Sequence, residues 1–160
     1  DARGRRALKA LPVDHLRHAE RLQARLAELD RYLDAAIAMF TAEVGVDPRG
    51  ADGGRAYRRR VANTILAGRA YVLFDGAEVA FKAEVGAVSR TVGQIQGVWV
   101  RPDLRGQGLG GAGTAAVADA VLRSGRLPSL YVNSFNVAAR RAYERVGFRQ
   151  VATFATVLLA

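Results

Sequence analysis

A strand-forming run, Gln94-Ile-Gln-Gly-Val98-Trp99-Val100, leads through Arg101-Pro-Asp-Leu104 into Arg105-Gly106-Gln107-Gly108-Leu109-Gly110. Glycines at 106, 108 and 110 let successive backbone N–H groups point into one concavity with no side chain in the way. A helix starting behind them adds its unpaired N-terminal donors and the positive end of its dipole. That combination suits a phosphate or pyrophosphate, and Arg105 adds a full positive charge at the rim. The competing reading is a glycine turn with a structural role alone. Two familiar phosphate motifs do not fit. A P-loop needs a lysine directly after its last glycine, and none stands here. Gly106-x-Gly108-x-x-Gly111 matches the dinucleotide fingerprint literally, but that site wants an acidic residue about 20 positions on. No Asp or Glu stands between Asp119 and Glu144.

Downstream, Asn136, Arg140 and Tyr143 are spaced four and three residues apart, so an amide, a guanidinium and a phenol share one helix face. Cysteine is absent, which excludes disulfides, thiol nucleophiles and thiolate zinc sites. Histidine occurs only at His15 and His18, so no metal centre is expected. The 24 Lys and Arg against 15 Asp and Glu give a net charge of +9, and only Lys9 and Lys82 are lysines, leaving 22 arginines. Such a balance points either to an anionic partner or to an arginine-rich coding bias. A nucleic-acid module would rest on charge alone, without a recognition motif, and nucleic acid is not the expected partner. No apolar run reaches the roughly 18–20 residues that span a bilayer. The first ten residues lack an apolar signal segment, so the expectation is a cytoplasmic protein with no membrane partner.

The elements that must position these groups follow from periodicity. Leu26, Leu29, Leu33, Ile37, Phe40 and Val44 recur at helical steps. Residues 45–54 form a loop, and a second helix carries Tyr57, Val61 and Ile65 on one face, with Gly68 as its stop. Arg58, Arg59 and Arg60 decorate its other side. Strands at 71–74 and 78–81 flank Asp75-Gly76, a hairpin signal, the second continuing to about Val88. Further elements are a strand at 92–100, a helix at 112–122, a strand at 130–132, a helix at 137–145 and a closing strand at 151–159. The order implies an α+β chain whose sheet is antiparallel first and crossover-connected later.

Arg105-Gly-Gln-Gly-Leu-Gly110 is similar to the Q/R-x-x-G-x-G/A motif of the GNAT superfamily of N-acetyltransferases. Val98-Trp-Val-Arg-Pro102 before it resembles the strand and turn those enzymes use. Leu130-Tyr-Val-Asn133-Ser-Phe-Asn136-Val-Ala-Ala-Arg-Arg-Ala-Tyr143-Glu-Arg-Val-Gly147-Phe148 resembles their N-x-x-A-x-x-x-Y-x-x-x-G-F segment. The resemblance covers residues 20 to 159. It looks closest to actinobacterial members that carry a further N-terminal domain of unknown function. It divides the chain into a basic extension at 1–19, read with the missing initiator methionine as a remnant of a longer chain, and a catalytic domain at 20–160. It also places a first strand near Arg21 to Leu26.

The resemblance implies a three-layer α+β (α/β) fold. A mixed, mostly antiparallel central sheet opens in a V-shaped splay between strands 94–100 and 130–132, with about four flanking helices. Acetyl-CoA would lie in that splay. Its pantetheine arm would pair with backbone groups of Val98 and Val100, on either side of Trp99, whose own side chain turns to the core. Its pyrophosphate would meet the amides of Arg105, Gly106, Gln107, Gly108, Leu109 and Gly110, with Asn133, Asn136 and Arg140 as further contacts. Tyr143 stands where the family often carries the acid that protonates the departing thiolate, and the Val98 N–H would hold the oxyanion. Gln94 occupies the place where many relatives carry a glutamate base. Glu84 on the neighbouring strand is then the nearest carboxylate, unless it pairs with Lys82 or an arginine. The implied reaction is direct acetyl transfer to a primary amine of a small molecule or peptide, with no metal and no acetyl-cysteine intermediate. A non-catalytic acyl-CoA sensor on the same scaffold is the alternative that Gln94 raises. The Arg58–Arg60 face lies where the family frames its acceptor, and an acidic or phosphorylated acceptor would suit it. The acceptor itself stays open, and a homodimer is compatible with the sequence.

Overall fold

The computed structural model describes residues 19–155, and every statement of absence below refers to these. The basic extension up to residue 18, with His15 and His18, and residues 156–159 of the expected closing strand lie outside them. A single helical turn, α1 (Ala19–Leu22), precedes a 3-10 turn and the long helix α2 (Leu29–Val44). Helix α2 buries Leu29, Tyr32, Ala35, Ala36 and Met39, the three- and four-residue rhythm of one apolar stripe. It stops at Gly45, whose φ of 78° supplies the left-handed C-terminal turn. Helix α3 (Arg55–Leu66) buries Val61 and Ile65, and its Tyr57 hydroxyl donates to the Ala36 carbonyl at 3.1 Å, tying it to α2.

The sheet order is β1-β2-β3-β4, with β1 (Ala70–Asp75), β2 (Glu78–Val88), β3 (Val92–Val100) and β4 (Leu127–Leu130). The first two pairings are antiparallel and β3 with β4 is parallel. A parallel pair needs a crossover, and α4 (Leu109–Arg123) provides it. Tyr32, Val61, Ile65, Val72 and Val79 form the core between α2, α3 and one sheet face. Phe81, Ile95, Leu104, Leu109, Val117 and Val121 form the core between α4 and the other, joined by Leu22 of α1. The last helix, α5 (Val137–Val146), packs on α4. Three layers result, as the resemblance implied. No described helix is long and apolar enough to cross a membrane.

Several local expectations need correction. The strand near Arg21 to Leu26 is absent as such. Leu22 closes α1 and the helical turn at Leu26 opens the next element, so only an isolated bridge, Gln23 with Tyr71, fits between them. The strand expected at 130–132 lies at Leu127–Leu130, starting as soon as the Gly125 turn is complete. Its Pro128 lacks an N–H, which an edge strand tolerates. The glycine-bearing helix starts at Leu109 rather than residue 112, drawing Gly110, Gly111 and Gly113 into its first turns. Residues 151–155, the described part of the expected closing strand, pair with no neighbour, and Val151 and Phe154 are exposed. The hairpin turn falls on Gly76-Ala77, one residue later than expected, with the positive φ of 61° at the glycine.

Candidate functional site

Strand β3 changes character at Ile95. Up to that residue it pairs with β4, Val92 opposite Leu127 and Ile95 opposite Leu130. Beyond it β3 runs on for five residues with no strand on that side. The cause is a bulge. Its register with β2 slips by one residue between the pairs Glu84–Gln96 and Lys82–Trp99, and Gly97 absorbs the extra residue at a φ of 59°. The bulge also sets which way the side chains face: Val98 and Val100 pack toward the α4 core and Trp99 toward the α2–α3 core. The open edge of β3, the glycine loop, residues 130–133 and α5 enclose a cleft of about 1080 Å³.

At one end of the cleft, Gly106 and Gly108 have φ of 75° and 85°, and a Cβ at either would meet nothing within 4 Å. These two glycines are required by backbone conformation, not by crowding. Gly108 is also the N-cap of α4, so the N–H groups of Leu109, Gly110 and Gly111 have no partner in the helix and open toward the cleft. Gly113, one turn further in, serves packing instead: a Cβ there would sit 2.4 Å from the Phe81 ring. The Arg105 guanidinium curls back, its Nε donating to the Val100 carbonyl at 3.0 Å. Just before it, Arg101 is clamped by Asp75, Glu78 and Asp103 at 2.7–2.8 Å, fixing the end of β3 to the hairpin turn.

Helix α5 forms the facing wall. Asn136 caps it, its Oδ1 accepting from the Ala139 N–H at 3.2 Å. Tyr143 reaches the cleft while its ring meets Phe148 edge-to-face, centroids 6.3 Å apart. Burial, then the carboxylate of Glu43, pushes the Tyr143 phenol up to about 12, so it keeps its proton at ordinary pH. Glu43, at the end of α2, is the only carboxylate lining the cleft among the described residues.

A second concavity, of about 480 Å³, lies beside Gln96 between α3, β2 and β3. Glu84 is here rather than in the cleft. It is 4% exposed, and its Oε1 accepts from Arg60 at 2.8 Å and from Gln96 at 2.9 Å. Gln96 lines both concavities. Between them Lys82 is fully buried; its Nζ donates to the Gly97 carbonyl at 3.0 Å and lies 5.3 Å from the Tyr32 ring centroid. Burial pulls its ammonium down to about 8, against the pull of Glu84.

A family model described as FR47-like protein matches residues 73–157, more than half of the chain. The chain belongs to the FR47-like family. No curated protein sequence matches it. Its fold is that of the GNAT acetyltransferases. A predicted acetyltransferase of Clostridium acetobutylicum, solved with acetyl-CoA, superposes with a TM-score of 0.67 at 13% identity, over 84% of this chain and 92% of that one. The enzyme AAC(6')-Iy, bound to the bisubstrate analogue CoA-S-monomethyl-acetylneamine, gives 0.65 at 13% identity, over 86% and 95%. A GNAT-family acetyltransferase of Colwellia psychrerythraea gives 0.62 at 16% identity over 78% of this chain, which spans only 43% of that protein.

Within this FR47-like domain, the cleft gathers Val98, Trp99, Val100, Arg105, Gly106, Gly108, Leu109, Gly110, Asn133, Asn136 and Tyr143. It does not gather Gln94, Glu84, Gln107 or Arg140. Gln107 points its amide at the Asp103 carbonyl, and Arg140 turns to the Ser134 carbonyl and Gln150. The cleft-facing stripe of α5 is centred on Ala139, Ala142 and Val146, so Arg141 and Arg145 border it instead. Sequence reasoning missed both arginines and Glu43. The arginines carried a signal in the helical period, but Glu43 carried none, being brought to the cleft only by the packing of α2.

Proposed function

We propose that this domain transfers an acetyl group from acetyl-CoA directly to a primary amine. The observation that carries the reading is the continuity of the open β3 edge with the helix-capping glycine loop along one cleft, faced by a protonated phenol. An extended thioester arm can add to an open strand edge as a further strand would. The amides of residues 109–111 and the α4 dipole suit the pyrophosphate, with Arg141 and Arg145 adding positive charge across the cleft. Since the Val100 carbonyl is taken by Arg105, the Val98 groups and the Val100 N–H are left to hold the arm.

The Val98 N–H serves as the oxyanion donor in this reading, and the chain grips that peptide from behind. Lys82 donates to the carbonyl of the same Gly97–Val98 unit, whose N–H in a trans peptide points the opposite way. The ammonium therefore both fixes and polarises the donor. Glu43 takes the proton of the incoming ammonium, directly or through water. The amine nitrogen bonds to the acetyl carbon, the carbon–sulfur bond breaks, and Tyr143 donates a hydrogen bond to the departing sulfur. A thiol titrates near 8.5. Complete proton transfer from a phenol near 12 is thus uphill, so Tyr143 keeps its proton and only stabilises the departing thiolate, while the second proton shed by the amine nitrogen as the amide forms reaches that sulfur through solvent. Single-turnover mixing of the protein with acetyl-CoA and a panel of primary amines tests the proposal by release of free CoA thiol. Amine-dependent release is expected; tight acetyl-CoA binding with no transfer to any amine would leave a sensor.

A further inference from the structure

The pocket beside Gln96 carries a charge imbalance that the cleft chemistry does not use. Arg59, Arg60 and Arg69 all line it, against the single carboxylate of Glu84. The run Arg58–Arg60 divides by function: Arg58 pairs with Asp30 on α2, Arg60 pairs with Glu84, and Arg59 remains over the pocket. Neither Arg59 nor Arg69 makes an ion pair among the described residues. Two guanidiniums without an ion pair thus face one concavity, beside the Asn63 amide and the Thr64 hydroxyl; the Asp52 carboxylate is near enough to feel the charge of Arg59 but does not line the pocket. The Thr64 hydroxyl already spends its proton on the Arg60 carbonyl at 3.1 Å.

The pocket is also connected to the reacting end of the cleft. Gly86 has no side chain, and the Gln96 carboxamide occupies the space where a Cβ would come within 2.0–2.3 Å of it. Strand β2 thereby admits Gln96 as the shared wall. Gln96 and Val98 flank the Gly97 bulge on β3, so no more than about 7 Å of chain separates them. An anionic group in the pocket and an amine beside the Val98 N–H are separated by the length of a short aliphatic chain. The charges match that polarity, with guanidiniums at the pocket end and Glu43 in the cleft.

We propose that this pocket binds a carboxylate or phosphate carried by the acceptor, so that the preferred acceptor is an anionic primary amine. The inference rests on the acetyl-transfer reading above for the acceptor's role, but not for the binding itself. Guanidinium pairs recognise both anions through forked hydrogen bonds, and the experiment separates the two sources.

The test is calorimetric titration of CoA-loaded protein with O-phosphoethanolamine and with β-alanine, each beside its uncharged counterpart, ethanolamine and β-alaninamide. The same titrations are run on the Arg59→Gln/Arg69→Gln double variant, with acetyl-CoA affinity as the check on its folding. Binding of one or both anionic amines, weakened at least about tenfold in the double variant, is expected, with acetyl-CoA affinity unchanged. Which of the two binds tells carboxylate from phosphate. Equal binding of charged and uncharged amines, no binding of either anionic amine, or binding indifferent to the double substitution would overturn the proposal. Acetyl transfer is then followed with the same four amines. Selective binding of the anionic amines with no thiol release would instead overturn the transferase reading while leaving the pocket assigned.

Discussion

The cleft beside Val98 offers its occupant a strand edge and loop of backbone N–H groups among small residues, with two phenols and with arginines at its border, whereas the pocket across Gln96 is walled mainly by side chains, guanidiniums with an amide and a hydroxyl. The first is built from a continuous stretch of chain, the end of β3 with the loop that follows it, and is then covered by α5. The second is assembled from α3, the residue before β1, and the strands β2 and β3. A group that every member of a substrate class shares, such as a pyrophosphate, can be held by backbone whose geometry glycine secures. A group that distinguishes one acceptor from another needs side chains, and those can be exchanged without disturbing the strand that both sites share.

The largest separation of the two sites is expected from Tyr143→Phe. Turnover should fall by about 100-fold, the usual scale for one positioned hydrogen-bond donor to developing negative charge, while acetyl-CoA and anionic-amine affinities stay the same. Steady-state kinetics beside calorimetry would show it, and unchanged turnover would reduce Tyr143 to a partner for Phe148. Next in size is Gly113→Ala. Its Cβ would meet the Phe81 ring at 2.4–2.6 Å, and overpacking of this kind costs roughly 1–3 kcal/mol, read from urea denaturation. A neutral result would mean that α4 has slack against β2, and the glycine loop with it.

Lys82 lies between the sites and gives a pH signature. Burial holds its folded value near 8 against 10.5 unfolded, so between these limits the unfolded chain binds the extra proton. Stability therefore rises with pH from about 8, by on the order of 2 kcal/mol. Above pH 10 the buried phenols of Tyr32, Tyr57, Tyr71 and Tyr143, all raised, reverse the slope, because the unfolded chain then loses protons first. Unfolding free energies measured from pH 7 to 11 should pass through a maximum near 10. In Lys82→Met the rising limb should vanish; its persistence would place the titration elsewhere. The smallest effect on stability is expected from Gly86→Ala, since the atoms it displaces belong to the flexible end of Gln96. Melting should shift little, yet anionic-amine affinity should change and acetyl-CoA affinity should not.

The same contrast explains what could be read from the sequence. The edges of β3 at Val92 and Val100 and the glycine loop were legible, because alternation, a Pro turn and glycine spacing are local properties. The side of α5 that faces the cleft was nearly so: the period put Arg140 and Tyr143 on one face, and in the structure Tyr143 lines the cleft with Arg141 and Arg145 rather than Arg140, a rotation that only packing on α4 sets. The Gly97 bulge was not legible, since one glycine in a strand does not announce which register slips. Glu84 was the natural candidate base by strand adjacency. Its partners Arg60 and Gln96, 24 and 12 residues away, could not be inferred without the sheet register. Residues 151–155 carry strand-forming Val151, Thr153 and Phe154, but strand-forming residues do not create a strand edge to pair with.

If the glycine loop is the phosphate cradle for acetyl-CoA, calorimetric titration of acetyl-CoA into the wild-type protein and Gly108→Glu will show it. Gly108 holds a φ of 85° at the N-cap of α4 with open space around it, so the substitution brings strain, bulk and negative charge to the cradle. Gly108→Ala brings the strain alone. One-to-one binding by the wild type, a partial loss in Gly108→Ala and no measurable binding in Gly108→Glu are expected. Undiminished affinity in Gly108→Glu would contradict the assignment of the loop as the phosphate cradle.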